Sequence, residues 1–145
     1  MKSKLIHDGE LKKWAVVFDS GDEAVEGLKR FAKENHLSAS SFTAIGAFSD
    51  CALGYFNFEK RDYKRIPMAE QVEVLSLIGD VTLDEKGEQK LHAHVVVGKS
   101  DGSAHGGHLL QAHVKPTLEV IVTESPAHLR RNHDPASGLP LIQLD

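Results

Sequence analysis

The chain has one cysteine, one tryptophan and two tyrosines among 145 residues, and aromatics make up 6% of it. A lone Cys51 cannot form an internal disulfide, which excludes a disulfide-stapled scaffold and fits a reducing compartment. No run approaches the ~18 consecutive apolar residues of a membrane-spanning helix. Residues 1–8 are partly basic but have no apolar stretch behind them, so no secretory signal is visible and a cytoplasmic location is expected. An excess of basic charge is missing too. Lys plus Arg is 17 against 21 for Asp plus Glu, a formal net charge of −4, which argues against a surface built wholly for nucleic acid.

What is present describes an ordinary globular chain: 41% hydrophobic and 26% charged. A single domain over residues 1–145 is expected, with roughly two-thirds of the unfolded surface buried on folding. Residues 14–18 read as a buried strand. Ser20 to Glu23 has the S-x-x-E form of a capping box, so a helix should follow. In it Ala24, Leu28 and Phe31 fall on one face, flanked by Val25 and Ala32, while Glu26, Lys29, Arg30 and Lys33 hold the other.

Beyond His36 the pattern turns to strands. Residues 41–48 and 51–58 read as a hairpin about Ser49-Asp50. Residues 63–66 form a short strand ended by Pro67, and the β-branched stretch 72–81 a central strand. A turn at 84–87 precedes a strand at 91–97. Residues 98–107 read as a loop, 108–114 and 118–123 as two strands, 126–131 as a short helix, and 141–144 as a last strand. About eight strands with one or two packing helices define an α+β domain with a mostly antiparallel sheet.

Five of the nine histidines (His92, His94, His105, His108 and His113) fall between positions 92 and 113. On a strand, His92 and His94 project from the same face, about 6.6 Å apart. Two imidazoles so placed suit zinc or another borderline divalent metal. His108, after Gly106-Gly107, supplies a third ligand from a neighbouring strand, with His105 the lesser alternative. The two glycines allow a tight backbone or the close approach of another chain. Three protein ligands leave a coordination position open to water or substrate. His113 has the opposite parity to His108 and should face away. His7, His36, His128 and His133 read as surface or capping residues. Cupins also use His-x-His, followed by a glutamate a few residues later; here Gly98 and Lys99 stand in that region.

Glu119 and Glu73 lie on otherwise apolar strands, where an unpaired carboxylate is costly to bury. Each is a candidate proton-transfer group, a partner for a histidine, or a salt-bridge member. Arg130, Arg131 and Asp134 read as ion pairs of the C-terminal region. Lys60-Arg61 with Lys64-Arg65 is the strongest basic cluster, read by default as a solvated loop.

Taken together, Leu53-Gly54-Tyr55-Phe56, Glu73-Val74-Leu75-Ser76-Leu77-x-Gly79, His92-x-His94, Asp101-Gly102, Gly106-Gly107-His108-Leu109 and Thr117-x-Glu119-Val120 resemble the PPC (plants and prokaryotes conserved) domain. The resemblance spans nearly the whole chain. It implies an α+β domain that assembles as a homotrimer. Prokaryotic members are often labelled predicted DNA-binding proteins, and in plants the domain stands beside an AT-hook in nuclear regulators. This chain has no Arg-Gly-Arg-Pro core, the part of an AT-hook that enters the minor groove, and it has Val72-Glu73-Val74-Leu75 where the plant segment carries an arginine and an aromatic. A more distant similarity is to alpha-acetolactate decarboxylases, which hold zinc on a His-x-His pair and a Gly-Gly-His histidine. His92, His94 and His108 match those positions, whereas the catalytic arginine and glutamates of those enzymes have no secure counterpart. Three functions follow as alternatives: a trimeric binding or regulatory module with a metal site, a metal-dependent lyase or hydrolase acting on a small carbonyl or carboxylate substrate, and a DNA-binding protein that uses its basic cluster. The first is favoured.

Overall fold

In the computed structural model, which describes residues 1–144, strands follow the period of two that their sequences carry. Strands β1 (Lys2–His7) and β2 (Lys12–Asp19) precede the single helix α1 (Ala24–Glu34). Strands β3 (Ala39–Asn57), β4 (Asp62–Met68), β5 (Val72–Leu83), β6 (Gln89–Gly98), β7 (Ala104–Glu124), β8 (Arg130–His133) and β9 (Pro140–Gln143) complete the chain. All pairings are antiparallel except β5 with β8. This is the expected α+β architecture.

The two longest strands organise the rest. One half of β3 lies between β7 and β5, and its other half between β7 and β4. β6 pairs with both β5 and β7. Strands β3, β5, β6 and β7 therefore close into a ring of ladders, helped by the register shifts that bend β3. Inside lie Phe18, Phe48, Leu53, Leu77 and Leu118, all nearly inaccessible to solvent. Helix α1 adds Leu28 and Phe31 to this core, with Phe31 edge-on to Trp14 at 6.0 Å between ring centroids.

Several expected elements differ. Ser49-Asp50 makes no hairpin. β3 continues unbroken through a bend there, because both sides of that pair stay in the β7 ladder and its polar groups are satisfied laterally by His113. The two strands expected at 108–114 and 118–123 are likewise one strand, β7, continuous through a cis Lys115–Pro116 peptide. The expected loop is shortened, since β7 begins at Ala104. Pro67 does not end β4 but pairs within it, which is tolerated because β4 is an edge strand. Residues 126–131 form no helix; Arg130 opens β8 instead. The last strand is Pro140–Gln143. β1, exposed along its whole length, carries no burial pattern to betray it.

Helix α1 is capped by Glu23, whose carboxylate accepts the Glu26 N–H, and not by Ser20, whose hydroxyl donates to the Pro116 carbonyl. At the other end His36 takes a left-handed conformation and the Leu37 N–H returns to the Ala32 carbonyl, a six-to-one closure.

Candidate metal centre

His94 on β6 and His108 on β7 are directly paired across the antiparallel ladder, so their side chains leave the same face. His92 stands two residues before His94 and joins them. Ring centroids are 5.0 Å apart for His92–His94, 5.3 Å for His92–His108 and 5.5 Å for His94–His108. One nitrogen from each ring lies within 4.8 Å of the others. The three candidate ligands are thus brought together. His105 is not; it sits exposed on β7, opposite Val97. His113 faces elsewhere, against Asp50 at 2.8 Å.

Two glycines shape the surroundings. A side chain at Gly107 would come within 2.8 Å of the Gly54 carbonyl, so the close approach anticipated for the Gly-Gly pair is made by β3 of the same chain. Gly54 in turn pairs with His108, and a Cβ there would press on the Tyr63 ring at 2.8 Å. The missing side chain lets Tyr63 lie along His108, with 4.8 Å between ring centroids.

Electrostatics favour the neutral form of His92 and His108. Burial pushes the His108 imidazole down to about 4, helped by the neighbouring His92 and His94. Burial also lowers His92, reinforced by the charge of Arg131 and opposed by Asp80. Neutral imidazole is the form that binds metal. The structure fits such an ion on two further counts. His92 and His94 Nε2 are 3.2 Å apart, close to the ~3.3 Å edge of a tetrahedron with zinc–nitrogen bonds of ~2.0–2.1 Å. The Nδ1 atom of His108 is buried without a hydrogen-bond partner.

Behind His92 stands a group that the sequence reading did not place. Asp80 pairs with His92 across the β5–β6 ladder, and its carboxylate is 3.9 Å from His92 Nδ1. Arg131 Nη2 donates to both Asp80 oxygens at 2.9 Å and lies 3.2 Å from the same Nδ1. Arg131 is therefore a partner of Asp80, not of Asp134, whose carboxylate instead accepts from Ser137. At 3.9 Å the Asp80 carboxylate is beyond hydrogen-bond reach of His92; the group that meets Nδ1 is the Arg131 guanidinium, which Asp80 holds in place. The alternation of β5 puts Asp80 on a definite face, but only the β5–β6 register reveals which residue it meets.

Glu73 and Glu119 are not at this centre. Both are exposed and line a separate cleft with Ile45, Leu75 and Thr117. The burial cost anticipated for them does not arise, because β5 and β7 turn that face outward. In the basic cluster, Arg65 donates to Gln111 and Arg61 reaches the Ala136 carbonyl.

An α+β domain with a histidine trio on one sheet face defines the class. Within it, the chain belongs to the Plants and Prokaryotes Conserved (PCC) domain family, whose model matches residues 7–126. A metal-containing protein from Archaeoglobus fulgidus is 34% identical, covering 92% of this chain and 94% of that one, with a TM-score of 0.83. A protein from Bacteroides thetaiotaomicron, described as a candidate DNA-binding protein, is 30% identical over 97% of this chain and 96% of that one, with a TM-score of 0.89. Among curated proteins, the bifunctional protein GlmU of a Synechococcus strain is 28% identical over 140 residues, and this chain spans only 21% of its length. The distant likeness to alpha-acetolactate decarboxylase appears at the level of fold. A Staphylococcus aureus protein of unknown function, described as similar to that enzyme, matches with a TM-score of 0.54 at 13% identity, covering 82% of this chain and 54% of that one. Among the described residues, no helix is long and apolar enough to cross a membrane.

Proposed function

We propose that this protein is a homotrimeric PCC-domain binding module that holds a divalent metal, zinc by preference, on His92, His94 and His108. The convergence of three imidazoles from two paired strands carries this reading. The metal-containing relative supports it. A bound ion would act as a Lewis acid toward a ligand oxygen or lower the pKa of a bound water. The chain's own residues supply ligand orientation through Asp80 and Arg131, and shelter through Tyr63. The test is metal analysis of protein purified without a histidine tag, followed by zinc titration of the metal-free form. Stoichiometric zinc lost in His92→Ala is expected; zinc affinity unchanged by that substitution would sink the site.

Assembly as a trimer is supported by the outer sheet face. Thr43 pairs with Ile121 on one side and Ile78 on the other, and Val17, Ile45 and Val96 extend this exposed apolar surface. Exposed apolar area of this kind ordinarily meets a partner.

An enzymatic reading is the alternative: a lyase or hydrolase acting on a small carbonyl or carboxylate compound. It is favoured by the cavity that opens beside the histidines. Direct DNA binding rests on the described relative and on the basic cluster at Lys60 to Arg65. Binding to a mixed-sequence duplex that falls steeply with salt would support it; no binding at low salt would exclude it.

A further inference from the structure

Between the histidine trio and the C-terminal β8–β9 hairpin lies a cavity of about 270 Å³. His92 and His108 line it, together with Leu91 and Tyr63 and with Leu139, Pro140 and Leu141 of the hairpin region. Two cations, Lys90 and Arg131, line it as well, and among the described residues no carboxylate does. The hairpin that supplies much of the wall follows the last residue of the family match, at 126.

Charge bookkeeping selects the ligand. Asp80 neutralises Arg131 at 2.9 Å, and Asp84 faces Lys90 at 3.3 Å. Three imidazole ligands, uncharged when bound to a metal, leave both charges of a divalent ion uncompensated, in a pocket whose walls are apolar. An anion is therefore favoured next to the ion, and an apolar body behind it. We infer that this cavity is a subsite for a small monocarboxylate with a compact branched or short aliphatic chain, its carboxylate on the metal side and its chain against Leu91, Leu139 and Leu141. This rests on the histidine trio holding a metal. A phosphate or a free hydroxide satisfies the charge but leaves the apolar wall unused.

The experiment uses the whole protein loaded with cobalt(II), whose visible absorption reports changes in coordination. Isovalerate, acetate, isovaleramide and inorganic phosphate are titrated in turn. Isovalerate is expected to bind roughly tenfold more tightly than acetate, from the apolar area its extra carbons bury. Isovaleramide and phosphate should fall well below isovalerate. Leu141→Ala, at a residue already 42% exposed and so tolerant of truncation, should weaken isovalerate about threefold and leave acetate unchanged. Cobalt bound through the histidines, but with acetate, phosphate or isovaleramide equal to isovalerate, would overturn the subsite and spare the metal centre. Cobalt binding that survives His94→Ala would overturn both.

Discussion

His94 and His108 oppose one another across the β6–β7 ladder, on the same row of paired residues as Ile78. That row links the metal candidates to the exposed apolar face through backbone pairing alone. The position of the trio is thus set by strand register, and a slip of one residue in β6 would turn His92 and His94 into the interior.

Removing a ligand should cost more than removing what orients it. His108→Ala is expected to lower zinc affinity by more than the ~10–100-fold typical of an outer partner, and Asp80→Asn by about that range. Competition titration against a chelator measures both. Equal affinity of His108→Ala and the native protein would remove His108 from the site.

Arg131 joins stability to the site. Its side chain is nearly buried and holds both Asp80 oxygens. Breaking a buried pair costs about 3–5 kcal/mol, less here because Asp80 is partly exposed, so Arg131→Ala should destabilise by about 2 kcal/mol. Arg131→Lys should recover part of that stability yet bind zinc less well, since a single ammonium cannot face Asp80 and His92 while also holding the Pro140 carbonyl, as the two guanidinium nitrogens do. Denaturant unfolding and zinc titration separate the two effects; native zinc affinity in Arg131→Lys would mean that the guanidinium only holds the hairpin.

The apolar run at 14–18 and the β-branched stretch at 72–81 made β2 and β5 legible, and the parity argument separated His108 from His113. The bends of β3 and β7 were not legible. Polar residues such as Ser49 and Asp50 look like a turn until the lateral partner, His113, is known. The same reason hid Asp80 and Arg131, which meet across 51 residues of chain. Glu73 and Glu119 misled because an apolar neighbourhood in sequence was read as burial, whereas only their immediate neighbours Val72, Val74, Leu118 and Val120 are buried; Leu75 and Ile121, two positions on, share the glutamates' exposed face.

That exposed face gives a direct test of assembly. Ile78 and Ile121 are 54% and 45% exposed and flank Thr43. The double change Ile78→Glu, Ile121→Glu adds charge without touching the core, so the subunit should fold while the trimer dissociates. Sedimentation equilibrium should show three subunits for the native protein and one for the variant. A native monomer, or a variant trimer of native strength, would refute the interface.

Acid stability should depend on a pair far from the histidine trio. The hydrogen bond from His113 Nδ1 holds the Asp50 carboxyl below its ordinary value of 3.8. The folded chain then binds fewer protons at Asp50 than the unfolded chain does. The contribution is therefore present in full above that ordinary value and is lost as pH falls through the lowered one. Asp50→Asn should be less stable than the native protein at pH 6, by a modest margin because both groups are partly exposed. The margin should close as pH falls below that ordinary value of 3.8. Urea unfolding across that range reads it, and a margin that widened toward acid would show that Asp50 is not held in its charged form.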